Sequence, residues 1–179
     1  DENIICALYG ESIAHHTTAY TQIRNSYDTT QCSGVNMNVV YTGNLSITTL
    51  AADTIYVVTW SLSIGPSTIV MNDCSAVVSN KSTGTTFYTT GYANNGNFQI
   101  GDIKHTILDN ISIDAKTDGM GGEHTMNTYG VLYGTNNYEN TMNTVSIYSA
   151  LKGLNAKNSS VLLVNNLKTY NNDKDGIYL

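Results

Sequence analysis

Apolar and polar residues alternate in short tracts along most of this chain, and the tracts recur. Gly130-Val131-Leu132-Tyr133, Gly153-Leu154-Asn155-Ala156 and Gly176-Ile177-Tyr178-Leu179 start 23 residues apart. A second tract echoes between them: Asn143-Thr144-Val145-Ser146-Ile147-Tyr148, then Asn165-Asn166-Leu167-Lys168-Thr169-Tyr170, with an earlier copy at Asp109-Asn110-Ile111-Ser112-Ile113-Asp114. Alternation puts Val131 and Tyr133, or Ile177 and Leu179, on one face of a strand. No tract has the run of periodic residues that a packed helix needs. A single unit cannot bury its inward face alone, so each must stack on the next. A fixed period of about 20 to 25 residues built from β-tracts predicts an all-β fold, a β-solenoid.

From Val39 to about residue 90 the alternation is present but the period is weaker. Leu45/Ile47, Ile55/Val57, Leu62/Ile64, Ile69/Met71 and Ala76/Val78 form successive apolar pairs, punctuated by Gly43, Gly65-Pro66 and Asn72-Asp73. Three such tracts would fill one coil, although an antiparallel sandwich produces the same local pattern. Gly84 to Gly96 is polar and reads as a loop. Residues 1–38 are the least repetitive. Glu11 to Ile23, with Ser12 as N-cap, is compatible with a short helix. An open first coil exposes strand edges and core, so residues 1–38 are assigned to an N-terminal cap and 39–179 to coils. Between Ile111 and Gly130 the chain is about ten residues longer than the later coils require, which places an insertion within Lys116–Thr128.

The pattern of Asn-apolar-x-apolar followed by Gly-apolar-x-apolar resembles the repeats of right-handed parallel β-helices, the pectate-lyase-like superfamily. The likeness is clearest over residues 98–179. It implies a right-handed parallel β-helix with an N-terminal cap. That superfamily includes lyases, glycosidases, tailspikes and adhesins, so the resemblance implies a fold and leaves the activity open. The motifs of its enzymes, Asn-Thr-Asp, Asp-Asp, Gly-His-Gly and Arg-x-Lys, do not occur here. The one arginine, Arg24, lies in the cap, away from any coil.

Composition narrows the rest. Only 12% of residues are charged, and there are 22 Asn. Few charges with abundant Asn, Thr, Ser and Gly suit repeated tight turns and stacked polar ladders. Hydrophobic residues make up 41%, enough to fill a core. A net charge of −6 without a Lys/Arg cluster excludes a nucleic-acid partner. No apolar run approaches the ~20 residues of a membrane span. The chain begins at Asp1 without Met and stops at Leu179 inside a repeat. These points predict a processed or excised chain, secreted or at the cell surface, incomplete at its C-terminus or self-associating through its C-terminal coil.

Three cysteines show no zinc spacing, and Cys6 with Cys32 forms the expected disulfide. Asn44, Asn80, Asn110 and Asn158 head Asn-x-Ser/Thr sequons, which would carry glycans in a secreted setting. In the inserted loop, Asp118 and Glu123 supply the oxygen ligands Ca²⁺ takes, and His124 would add a transition-metal ligand. The same residues equally suit a solvated loop. Asp173 and Asp175 lie two apart and read as turn residues or as a facing carboxylate pair. His105 reads as a surface residue. Tyr133 shares a face with Val131 and is assigned to the core, whereas Tyr148, Tyr170 and Tyr178 fall on the outward parity. No catalytic constellation is legible. The expected function is a structural or adhesive β-helix facing a polysaccharide or a host or cell surface. The alternative is a carbohydrate-active β-helix whose catalytic part lies elsewhere.

Overall fold

The apolar tracts become strands because successive tracts pair with one another along their length. The computed structural model describes residues 21–27, 32, 36–42, 48–59, 61–63, 68–88, 96–101, 103–116, 126–136, 138–157 and 162–179. Among them are thirteen strands: β1 (Asn38–Thr42), β2 (Thr54–Val58), β3 (Leu62–Ser63), β4 (Ile69–Met71), β5 (Ser75–Ser79), β6 (Thr85–Tyr88), β7 (Phe98–Ile100), β8 (Ile107–Asp114), β9 (Tyr129–Tyr133), β10 (Asn140–Tyr148), β11 (Lys152–Asn155), β12 (Leu162–Tyr170) and β13 (Asp175–Tyr178). β1, β2, β5, β8, β10 and β12 lie side by side in one sheet, which β6 and β3 extend beside β8. β4, β7, β9, β11 and β13 form a second sheet. All strand pairings among the described residues are parallel. The fold is all-β with parallel sheets, and from β7 onward the chain alternates between the two sheets strand by strand.

The register matches the sequence period. Leu154 pairs with Val131 on one side and with Ile177 on the other. The glycines that mark the period are required by space. A Cβ on Gly153 would sit 2.6 Å from the carbonyl oxygen of Gly176, and one on Gly130 would collide with Ile147. The extra length before Gly130 also falls where the spacing puts it. β8 ends at Asp114 and β9 begins at Tyr129, whereas only Ser149, Ala150 and Leu151 separate β10 from β11. An antiparallel bridge between Lys116 and Met126 closes the base of this insertion.

Left-handed residues recur at aligned positions. Asn110, Thr144 and Asn166 have φ of 55°, 53° and 56°. Their flanks are in register, Asp109 with Asn143 and Asn165, and Ile111 with Val145 and Leu167. Such a residue breaks the strict alternation, so Leu108 and Ile111, three apart, both belong to the inner core. Earlier in the same sheet the breaks between β2 and β3 and between β5 and β6 take the corresponding place. A second set, Asp53, Cys74, His105 and Glu139, precedes β2, β5, β8 and β10 with φ between 49° and 56°. Ser149 and Asn171 form a third set just after the paired Tyr148 and Tyr170. Asn, Asp and His tolerate this region better than other non-glycine residues, which suits Asn110, Asn166 and Asn171, Asp53 and His105 to these positions.

The main core lies between the sheets and includes Tyr56, Val77, Phe87, Phe98, Leu108, Val131, Tyr133, Met142, Val145, Ile147 and Leu154. Phe87 meets Phe98 edge-on at 5.1 Å. Tyr133 is fully buried, as its parity predicts. The apolar pairs Ile55/Val57 and Ala76/Val78 lie on the outer face of their strands. They face away from the main core into a second cluster, while Tyr56, Val58 and Val77 face in. These strands are apolar on both faces because the N-terminal segment covers the outer one. Gly84–Gly96, read as a loop, holds the strand β6; residues 89–95 lie outside the described residues.

Residues 21–27 are helical, and the part of the expected helix before Thr21 lies outside the described residues. Ile23 and Tyr27 pack on Ile55, Val57, Ala76, Val78 and Ile107. The Tyr27 hydroxyl donates to the Ser75 carbonyl at 2.8 Å, and Arg24 Nη2 donates to the Met37 carbonyl at 3.0 Å. The described part of the segment assigned as a cap thus lies against the outer face of the larger sheet. It also corrects the disulfide. Cys32 is bonded to Cys74, with Cα atoms 5.7 Å apart, and not to Cys6, which lies outside the described residues. The nearest cysteine in sequence loses to the one that helix packing brings near. At the other edge of the sheets, Leu163, Val164 and Tyr170 of β12, Ile177 of β13 and Leu179 beside it are exposed, Ile177 by 49%.

Candidate functional site

The outer face of the larger sheet changes character along its width. Over β2 and β5 it is apolar and covered by residues 21–27. Over β8, β10 and β12 the outward positions beyond Ile107 turn mostly polar, and the helical segment reaches only as far as Ile107. The result is an open groove of about 610 Å³, within the usual range for ligand sites, walled by Gln22, Ile23 and Ser26 and floored by the three strands. Across its floor Asp109, Asn143 and Asn165 share one register row, and Ile107, Thr141 and Leu163 share the next row but one. Glu139 stands at the end of the strands and lines the groove as well.

Asp109 is the chemically distinctive residue. Burial pushes its carboxyl above the ordinary carboxylate range, only partly offset by hydrogen bonds from the Asn143 side chain and the Asn110 backbone. Asn143 Nδ2 donates to Asp109 Oδ1 at 2.9 Å. Asn165, exposed, has no side-chain hydrogen bond among the described residues. His105 is buried, contrary to its reading as a surface residue. It occupies a left-handed position ahead of β8, against the ring of Tyr138. Its Nδ1 lies 3.1 Å from Glu139 Oε2 without the alignment of a hydrogen bond.

Just before the third left-handed set, Ser149 and Asn171, the outer face carries a second feature. Tyr148 and Tyr170 stack at 4.8 Å with their rings 13° from parallel, one strand apart, as the outward parity predicts. Burial raises the Tyr148 hydroxyl, with the Asp114 charge and Tyr170 adding to it. Tyr178, on the other sheet, carries the Lys152 ammonium 3.5 Å from its ring centre.

The residues singled out from the sequence fall elsewhere. Asp118, Glu123 and His124 lie outside the described residues, as do Asn44 and Asn158. Among the described residues no three His, Cys, Asp or Glu side chains converge to hold a metal ion. Asn80 is fully buried and leaves no room for a glycan in this fold. Asn110 uses its amide to donate to the Ser79 and Lys81 carbonyls, so it too is a turn residue and no glycan acceptor. The carboxylate of Asp175 lies 3.9 Å from Lys152 Nζ, and neither it nor Asp173 lines the groove. The residues that the sequence reading passed over are Asp109, Glu139, Asn143 and Asn165. Their signal was present: Asp109, Asn143 and Asn165 each open a copy of the repeated tract, just before its left-handed residue. Comparison with protein-family models, with curated proteins and with solved structures finds no match.

Proposed function

We propose that this chain is a right-handed parallel β-helix acting as a structural or adhesive element, secreted or at the cell surface. The observation that carries the reading is the ladder of aligned left-handed residues. Three such sets, each repeated in successive rungs, mark three bends per turn of chain, as a coil returning on itself requires. Right-handedness follows the general rule for parallel β crossovers. Stacked coils make a stiff body whose outer faces repeat at the strand spacing, which suits a surface or fibre role. The Cys32–Cys74 disulfide supports an oxidising compartment outside the cytosol.

A second reading has one observation in its favour. Asp109 and Glu139 line the same groove, and paired carboxylates are the equipment of glycoside hydrolysis. One experiment separates the two. The purified chain is incubated with insoluble neutral and acidic polysaccharides and with cell-wall material. Retention on the solid without new reducing or unsaturated ends supports the adhesive reading. Release of such ends, lost in Asp109→Asn, supports the enzyme. Neither retention nor release on any material counts against adhesion and leaves a purely structural role.

A further inference from the structure

We propose that the groove between residues 21–27 and strands β8, β10 and β12 binds a neutral saccharide, with Asp109, Asn143 and Asn165 receiving adjacent hydroxyl groups. The inference names a ligand class for the surface described above and rests on that reading only for its setting.

The chemistry of the lining selects the ligand. Two carboxylates and no Lys or Arg face the groove among its described residues, so phosphates, sulfates and uronates are repelled. The rest of the polar lining is uncharged amide and hydroxyl, which pairs with hydroxyl groups rather than with ions. Asp109, Asn143 and Asn165 stand in one row on three neighbouring strands, about 4.8 Å apart, so a ligand laid across the strands meets them in turn. The Asp109 carboxylate is engaged by the Asn143 side chain and the Asn110 backbone, and a carboxylate offers about four acceptor positions. Hydroxyl donors from a ligand would occupy the remainder and replace the water that burial has taken from it. The Asn165 amide is exposed and offers both donors and acceptor. Ile23, Ile107 and Leu163 provide the apolar surface against which the C–H faces of a sugar ring rest. A purely apolar ligand would strand the amides, and an anion would meet Asp109. A cationic amine would satisfy the carboxylates but leave the amide row unused.

The test uses the full chain and saturation-transfer NMR with four probes at equal concentration: a glucose tetramer, a mannose tetramer, a glucosamine tetramer and a galacturonate tetramer. The expected result is transfer to at least one neutral probe, none to galacturonate, and a loss of about 10-fold or more in affinity in Asp109→Asn and in Asn165→Ala. Asp173→Asn, away from the groove, should bind as the parent does. Circular dichroism confirms that each variant is folded, and the exposed Asn165 keeps the test decisive if Asp109→Asn is unstable. Absence of transfer to either neutral probe overturns the proposal. So does binding indifferent to Asn165→Ala, or transfer to the glucosamine probe alone, which would make the groove an amine site. Failure here leaves the adhesive reading intact if polysaccharide retention persists in the groove variants. Product release overturns the adhesive reading and leaves the groove assignment standing.

Discussion

Leu154 and Ile177 occupy the same register position on adjacent strands, yet truncating them should have very different effects. Leu154 is 1% exposed, held between Val131 and Ile177, whereas Ile177 is 49% exposed and, among the described residues, pairs with a strand on one side only. Leu154→Ala removes a fully buried side chain and leaves a cavity between two rungs, at a cost of about 3 kcal/mol within the usual 2–5 range. Ile177→Ala removes contacts on one side only and creates no closed cavity, so its cost should be about 1 kcal/mol. For a chain of this size the difference of about 2 kcal/mol corresponds to roughly 4–8 °C in melting temperature. Urea unfolding followed by circular dichroism would measure both variants, with the slope of the transition checked for constancy. Equal costs, or a larger cost for Ile177→Ala, would refute the placement of β13 at the edge of its sheet beside β11.

Three further outcomes follow from individual contacts. Replacing Cys32 and Cys74 by Ser should cost about 4 kcal/mol, the loop-closure value for a separation of 42 residues, while Cys6→Ser should leave the Cys32–Cys74 link intact in a mass-mapped digest. Thr144 is a β-branched residue at φ 53° where its stack-mates are Asn110 and Asn166, so Thr144→Asn should stabilise by about 0.5–1 kcal/mol in the same urea assay. Burial raises the Asp109 carboxyl above its unfolded value, so the folded state binds its proton more tightly than the unfolded chain does. This group's contribution is therefore favourable at low pH and is lost as pH rises from the unfolded value through the folded one. Asp109→Asn should remove that slope and gain stability at about pH 7 relative to about pH 3, compared with the parent protein. An unchanged pH profile in Asp109→Asn would contradict the burial of this carboxylate.

The later strand pairs were legible in the sequence because their period is undisturbed. Gly130 and Gly153 stand where a Cβ would meet the next strand's backbone, so the period is written in glycine spacing as well as in apolar pattern. The earlier strands hid their period because their connections differ in length. Ile69 pairs with Phe98, and Phe98 with Val131, across segments longer than the later repeat. Two-sided burial hid which face of β2 and β5 is the inner one. Ile55-Tyr56-Val57-Val58 is apolar throughout, and alternation cannot say which face is inner when a separate segment covers the outer one. The Cys32–Cys74 pair and the buried His105 depend on tertiary contacts that no local spacing encodes. The groove was half legible. Its floor row repeats with the tract, but its wall comes from residues 21–27, far away in sequence, and only their packing turns a polar row into a cavity.

The central claim is the parallel register of the two sheets, and interstrand nuclear Overhauser contacts in the isotope-labelled protein test it most directly. The predicted result is a parallel pattern of amide-to-Hα contacts linking Val145 with Ile111 and Leu167, and Leu154 with Val131 and Ile177. An antiparallel pattern between β9 and β10 or between β11 and β12, the signature of consecutive hairpins, would contradict it.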